Sequence, residues 1–143
     1  MRKAPLNPDT KALLAAAANL EAVLRAVAAR LDTEREFLRF VCVASGDEIR
    51  LVAVDDVCYL QSEDKYTRIM TREHESLIRK PIAEFRARLD PRHFWPIHRG
   101  TIVNVHAVAG VVRDVGGRLH VKLKHRRETL AVSEPHERLF KPT

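Results

Sequence analysis

The residues of this chain that could do chemistry are mostly basic, and they are concentrated in one segment. Residues 92–127 carry eight arginines and lysines but only one acidic residue, so their net charge is +7, whereas the whole 143-residue chain carries +6. Five of the seven histidines lie in the same segment. Guanidinium and ammonium groups bind phosphates and base edges, so this segregation favours a polyanionic partner such as nucleic acid.

Short polar stretches between apolar runs could present these groups. Residues 61–68 read Gln-Ser-Glu-Asp-Lys-Tyr-Thr-Arg, residues 98–101 read His-Arg-Gly-Thr, and residues 124–127 read Lys-His-Arg-Arg. Gly100 leaves the guanidinium of Arg99 sterically free, as an arginine that grips a phosphate or reads a base requires. The alternative interpretation is an ordinary strand turn on a solvated basic face.

The same residues offer no constellation for catalysis or for a metal. His93, His98 and His106 are separated by five and eight positions, which matches no common zinc motif. No serine stands in a nucleophile-elbow sequence, and the five glycines form no phosphate-binding loop. Cys42 and Cys58 lie in apolar runs, where we expect two small core residues in a reducing compartment. We therefore expect a protein that is not an enzyme and has no cofactor.

The elements that must position the polar stretches are short strands. Period-two alternation and turn residues predict ten of them, at 37–43, 48–54, 57–61, 66–71, 76–79, 94–98, 101–105, 109–113, 118–123 and 128–132. One short helix follows Pro81, with Ile82, Phe85 and Leu89 on one face, and a helical turn is expected over 134–140. The sequence thus predicts a mainly β, mostly antiparallel domain over residues 36–143.

Residues 1–35 are expected to form a separate α-helix. Its apolar positions follow a heptad spacing and include Leu13, Leu20, Leu24, Val27 and Leu31. This stripe predicts either a helix packed on its own domain or a linker and dimerisation helix. No apolar run is long enough to span a membrane, and no secretion signal precedes the helix, so we expect a cytoplasmic protein.

Four blocks of the chain resemble the LytTR family of bacterial DNA-binding domains. They are Ile-x-Leu-x-x-Val-Asp-Asp-Val-x-Tyr-Leu-Gln at 49–61, Leu-Ile-Arg-Lys-Pro-Ile at 77–82, Phe-Trp-Pro-Ile-His-Arg-Gly-Thr-Ile-Val-Asn at 94–104 and Leu-Ala-Val-Ser at 130–133. The resemblance implies an elongated fold of about ten strands. It also implies loops that enter successive major grooves of double-stranded DNA, at half-sites about one helical turn apart.

The family usually supplies the output domain of two-component response regulators, which act in phosphorelay signalling and transcription regulation. A receiver domain upstream of Met1 and a sensor kinase are partners that the resemblance suggests, and self-association on DNA is another. The sequence leaves open whether a receiver domain precedes this chain.

The resemblance also assigns roles to individual residues. The positions expected to read bases are Lys65, Thr67, Arg99 and Glu134, and those expected to bind phosphates are Tyr66, Arg68, Arg79, Lys80, His98, Thr101 and Lys124. Gly100 stands where the family usually has a serine. Glu134 stands where an arginine is common, and a carboxylate can accept a hydrogen bond from a cytosine amino group but cannot hold guanine.

Two other functions remain open at this point. A protein-interaction module could use the strand edges and the N-terminal helix, although the one-sided basic segment argues against it. RNA binding usually requires exposed stacking aromatics. The chain has eight aromatic residues, and we expect Tyr59, Phe94 and Trp95 in the core. We expect Asn104 to bind backbone groups instead of a base.

Overall fold

The computed structural model describes the backbone of residues 8–143 and the side chains of residues 11–28 and 37–143. The chain divides into two units, Met1–Glu36 and Phe37–Thr143. In the first unit, Pro8–Glu36 form the predicted helix, α1. Leu13, Leu20, Leu24 and Val27 are 50–71% exposed. The side chain of Leu31 lies outside the described residues. Dimerisation through α1 stays a prediction.

The second unit is mainly β, as predicted, and its ten strands pair in antiparallel fashion. A short helix, α2 (Ile82–Arg88), and three 3-10 segments (Val54–Asp56, Val105–Ala107 and Glu134–Phe140) interrupt them. The strands are β1 (Phe40–Ser45), β2 (Glu48–Ala53), β3 (Val57–Glu63), β4 (Tyr66–Thr71), β5 (Glu75–Ile78), β6 (Phe94–His98), β7 (Thr101–Asn104), β8 (Val108–Arg113), β9 (Leu119–Leu123) and β10 (Thr129–Ala131).

A central five-stranded sheet, ordered β5-β4-β3-β7-β6, carries apolar side chains on both faces. Leu60, Ile69 and Ile102 belong to one core, together with residues of the β1–β2 hairpin and α2. Their neighbours Tyr59, Met70 and Val103 belong to a second core, shared with the three-stranded sheet β10-β9-β8. Burial on both faces makes the central sheet the rigid support of the turns at its ends.

The expectation that both cysteines lie in the core is wrong for one of them. Cys58 is buried, but Cys42 is exposed. Side chains alternate along β1, so Val41 and Val43 point to the core, whereas Cys42 lies on the outer face opposite Leu51.

The buried polar groups are satisfied within the fold. The Asn104 Nδ2 group donates to the carbonyl oxygen of Val57 at 2.9 Å, and its Oδ1 accepts from the backbone N–H of His106 at 3.0 Å. The expected structural role of Asn104 is therefore confirmed. The Tyr59 hydroxyl donates to Glu128 Oε2 at 2.8 Å. Burial, together with this hydrogen bond, raises the pKa of the Tyr59 phenol.

Candidate nucleic-acid interface

One end of the central sheet brings the polar turns together. Thr67 at the start of β4 pairs with Ile78 at the end of β5. Gln61 near the end of β3 pairs with Thr101 at the start of β7. Because the pairings are antiparallel, the β3–β4 turn, residues 79–80 and the β6–β7 turn all lie at this end of the sheet. We call it the loop end.

Backbone hydrogen bonds join the turns of the loop end to one another. The N–H of Ser62 donates to the carbonyl of Gly100 at 2.8 Å, and the N–H of Ser133 donates to the carbonyl of Ile97 at 2.9 Å. The second bond brings the segment that contains Glu134 beside the β6–β7 turn. The β3–β4 turn, the β6–β7 turn and the segment that contains Glu134 are therefore neighbours.

Exposed basic and polar side chains cover the loop end. Arg99 forms no ion pair within the part of the chain whose side chains are described. Unpaired, exposed guanidinium and ammonium groups are available to an anionic ligand. The predicted contact residues that are exposed at this end are Lys65, Tyr66, Arg79, Lys80, His98, Arg99 and Glu134.

Two predicted contacts, Thr67 and Thr101, do not fit their burial. Thr67 is 0% exposed, and its Oγ1 donates to the carbonyl oxygen of Lys80 at 2.7 Å. Thr101 is 4% exposed. Both side chains face inward from the central sheet, which weighs against a contact with a base or a phosphate, and the roles predicted for the two threonines stay predictions.

The predicted phosphate contact of Arg68 conflicts with its ion pairs. Its Nε donates to Glu63 Oε2 at 2.8 Å, and its Nη atoms are paired with Glu63 and Glu75. The hydrogen bond to Glu63 raises the pKa of the guanidinium. A phosphate would have to displace a carboxylate to reach this group. Arg68 thus ties β3, β4 and β5 together and leaves no free cation for DNA.

Lys124 lies at the opposite end of the domain from the other predicted contacts. Its backbone N–H donates to the carbonyl oxygen of Ala107 at 2.9 Å. The neighbouring Arg126 donates through Nη1 to the carbonyl oxygen of Thr71, the last residue of β4, at 2.7 Å. We call this the far end. The phosphate contact predicted for Lys124 stays a prediction, and this residue lies away from the loop end because β9 carries the chain toward the far end.

A groove of about 560 Å³ lies beside the β6–β7 turn, and it contains a basic residue, Arg118, whose position at the loop end the sequence did not predict. Its lining includes His98, Arg118 and Glu134. Asp114 fixes the hairpin turn that carries Arg118: its Oδ1 accepts from the N–H groups of Gly116 and Arg118 at 2.8 and 3.0 Å. Only the packing of the three-stranded sheet brings this turn to the loop end, so local sequence held no signal for it.

Two further features of the described residues concern metal binding and membranes. No three His, Cys, Asp or Glu side chains there come together where they could hold a metal ion. None of the described helices is long and apolar enough to cross a membrane.

Comparison with known proteins identifies relatives among transcriptional regulators. A response regulatory protein of Vibrio cholerae is 40% identical over 102 residues, which are 68% of this chain and 38% of that protein. The CO-responsive transcriptional regulator RcoM of Rhodospirillum rubrum is 34% identical over 84 residues, 58% of this chain and 36% of that protein. The chain therefore spans less than two-fifths of the length of these relatives.

A structural comparison and a family model agree on the domain. The LytTr DNA-binding domain of a Bacillus cereus protein superposes with a TM-score of 0.64 at 24% identity, over 72% of this chain and 94% of that domain, and so shares the fold. The family model of the LytTr DNA-binding domain matches residues 47–142. These residues include the central sheet and every turn of the loop end, and the chain belongs to the LytTR family of DNA-binding domains.

Proposed function

We propose that this chain binds double-stranded DNA in a sequence-specific manner and acts as the output part of a bacterial transcriptional regulator. The observation that carries the proposal is the convergence of three turns at the loop end, where Lys65, Lys80 and Arg99 are exposed. The turns, and not a recognition helix, would enter successive major grooves.

The exposed residues divide by their reach and chemistry into two groups. Lys65 and Arg99 stand at turns and would read base edges, where lysine and arginine favour guanine. Glu134 would accept a hydrogen bond from a cytosine amino group. The side chains beside them would bind phosphates and so set the register of the protein on the duplex. These side chains are Tyr66, Arg79, Lys80 and His98.

The regulatory role is supported by two relatives that are regulatory proteins. The Vibrio cholerae relative is a response regulatory protein, and RcoM is a transcriptional regulator. We therefore propose a role in a cytoplasmic two-component system, in which a receiver domain or a sensor kinase governs the DNA-binding domain. We further propose that the chain has no catalytic activity of its own.

Self-association through α1 is a separate part of the proposal. Leu13, Leu20, Leu24 and Val27 recur at heptad spacing and are exposed. Burying such a stripe against the same stripe of a second copy would remove apolar surface from water. Two copies joined in this way would bind paired half-sites cooperatively.

The test is selection from a random duplex library, followed by fluorescence anisotropy of the selected duplexes at two salt concentrations. We expect a motif that occurs twice, about 10–11 base pairs apart, with affinity well above that for random duplex. Lys124→Ala is the matched control, since it removes one positive charge from the far end and should leave affinity nearly unchanged.

If no motif is enriched and weak binding vanishes with salt, the basic surface is only an electrostatic attractor, and sequence-specific binding is disproved. A salt-insensitive complex with a protein partner would then favour the interaction-module function.

A further inference from the structure

A side chain from outside the central sheet donates a hydrogen bond to the backbone of the β6–β7 turn. The Nη2 group of Arg86, on α2, donates to the carbonyl oxygen of Arg99 at 2.9 Å. Arg99 is one of the residues proposed to read bases, and its carbonyl carbon is bonded to the Cα that carries the side chain. A hydrogen bond to the carbonyl oxygen of Arg99 restrains the backbone there, and so the direction in which the Arg99 side chain leaves the turn.

Two further hydrogen bonds at the turn involve the neighbouring residue, Gly100. The carbonyl of Gly100 accepts from Ser62 N–H at 2.8 Å, and the N–H of Gly100 donates to His98 Nδ1 at 3.3 Å. A Cβ added at Gly100 would lie 3.3 Å from the Cβ of Ser62, so this side of the turn packs closely on β3. Arg86 supplies the hydrogen bond to the Arg99 carbonyl, on the side that faces α2.

α2 is a firm support for this bond. Ile82, Phe85 and Leu89 are 4–8% exposed and belong to the core that packs on the central sheet. Arg86 directly follows Phe85, so the anchoring of Phe85 fixes the base of the Arg86 side chain. Arg86 is exposed, and it forms no ion pair with any residue whose side chain is described.

We propose that Arg86 is a positioning residue for DNA recognition: it orients Arg99 by holding its carbonyl, and it does not contact the DNA. This inference rests on the proposed function. A cation donating to a carbonyl forms a stronger hydrogen bond than a neutral donor does. The bond therefore restricts the turn before DNA arrives and lowers the ordering cost of binding.

The experiment compares Arg86→Ala, Arg99→Ala and the double variant on the selected duplex and on duplexes substituted at each base pair. Arg86→Ala should lower discrimination at the base pair read by Arg99 by about three- to ten-fold, the effect of one lost hydrogen bond. The slope of affinity against salt should stay unchanged. In the Arg99→Ala background, Arg86→Ala should have no further effect on discrimination, because the two residues act as one unit.

Arg88→Ala is the matched control, since it removes an exposed arginine from the same helix and should leave discrimination unchanged. A uniform loss of affinity with a salt slope reduced by about one would show that Arg86 binds a phosphate, and would overturn the inference. Retained discrimination in Arg86→Ala would overturn it while the proposed function stands. If the wild type selects no motif, the proposed function fails and this inference fails with it.

Discussion

The hydroxyl of Thr67 donates a hydrogen bond of 2.7 Å to the carbonyl oxygen of Lys80. The bond joins the second residue of β4 to the segment that follows β5, two positions past its last residue. It therefore fixes the backbone that carries Lys80 at the loop end. A threonine at a position expected to read a base instead supports the residue expected to bind a phosphate.

Thr67→Val should lower the free energy of unfolding by about 1 kcal/mol, because the buried hydrogen bond is lost while the side-chain volume is kept. Urea denaturation measures this change. Affinity for the selected duplex should fall slightly and equally for all substituted duplexes. A change of preference at a single base pair with unchanged stability would restore the base-reading role of Thr67.

Arg99→Ala should weaken binding to the selected duplex by about 1–3 kcal/mol and relax the preference at one base pair. Loss of a bidentate guanidinium contact removes both affinity and discrimination at that position. Anisotropy titrations against substituted duplexes measure both. Equal affinity of Arg99→Ala and wild type for the selected site would exclude Arg99 from base reading.

Lys80→Ala should weaken binding to all duplexes alike and reduce the slope of log affinity against log salt by about one unit, since one phosphate contact releases about one counterion. Lys124→Ala, at the far end, should leave the slope unchanged. Titrations at several salt concentrations give both slopes. If both variants reduce the slope equally, the binding surface is not confined to the loop end.

Leu20→Gln combined with Leu24→Gln should abolish cooperative binding to paired half-sites and leave affinity for a single half-site unchanged. Both leucines are exposed on α1 at heptad spacing, and polar replacements remove the apolar surface available to a second copy. Titration of one-site and two-site duplexes separates the two effects. Equal loss on both duplexes would indicate that α1 supports the domain itself.

The free energy of unfolding should fall above about pH 10, the ordinary pKa of tyrosine, because the phenol of Tyr59 ionises more readily in the unfolded chain. Burial and the hydrogen bond to Glu128 raise the pKa of Tyr59 in the folded protein. The neutral phenol therefore contributes stability that is fully present below the pKa of the unfolded chain and is lost as pH rises toward the folded pKa.

The urea midpoint of the wild type should consequently fall more steeply than that of Tyr59→Phe between about pH 9 and about pH 11. The phenylalanine variant keeps every lysine and arginine, so it corrects for their deprotonation. If the urea midpoints of the two proteins fell equally with pH, ionisation of Tyr59 would not be the cause of the lost stability.

The sequence predicted the strands well because short β-rich runs alternate with turn residues along the chain. The run predicted at 48–54 became β2 (Glu48–Ala53), and β6 (Phe94–His98) has the predicted bounds. The helix after Pro81 was also readable, since Ile82, Phe85 and Leu89 share one face and are buried. Period and turn residues are local properties, so one sequence suffices to read them.

The features of the candidate site that the sequence did not predict are relationships between distant segments. Lys124 and Arg99 lie in one basic segment of the sequence, but β9 separates their turns by the length of a strand. The partner of Thr67 is the carbonyl of Lys80, and a backbone carbonyl has no sequence signature. The contact of Arg86 with Arg99 depends on the placement of α2 against the β6–β7 turn, which no local pattern encodes.

Two of the hydrogen bonds that join segments of the loop end use only backbone atoms. Ser62 N–H reaches the carbonyl of Gly100, and Ser133 N–H reaches that of Ile97, so neither bond depends on which side chains stand at Lys65, Arg99 or Glu134. We therefore expect substitution at those three positions to leave these two hydrogen bonds in place. Point mutations at these positions can therefore change the preferred DNA sequence while every intermediate variant still folds. A library varied at only these three positions is accordingly a practical route to engineered binding specificities.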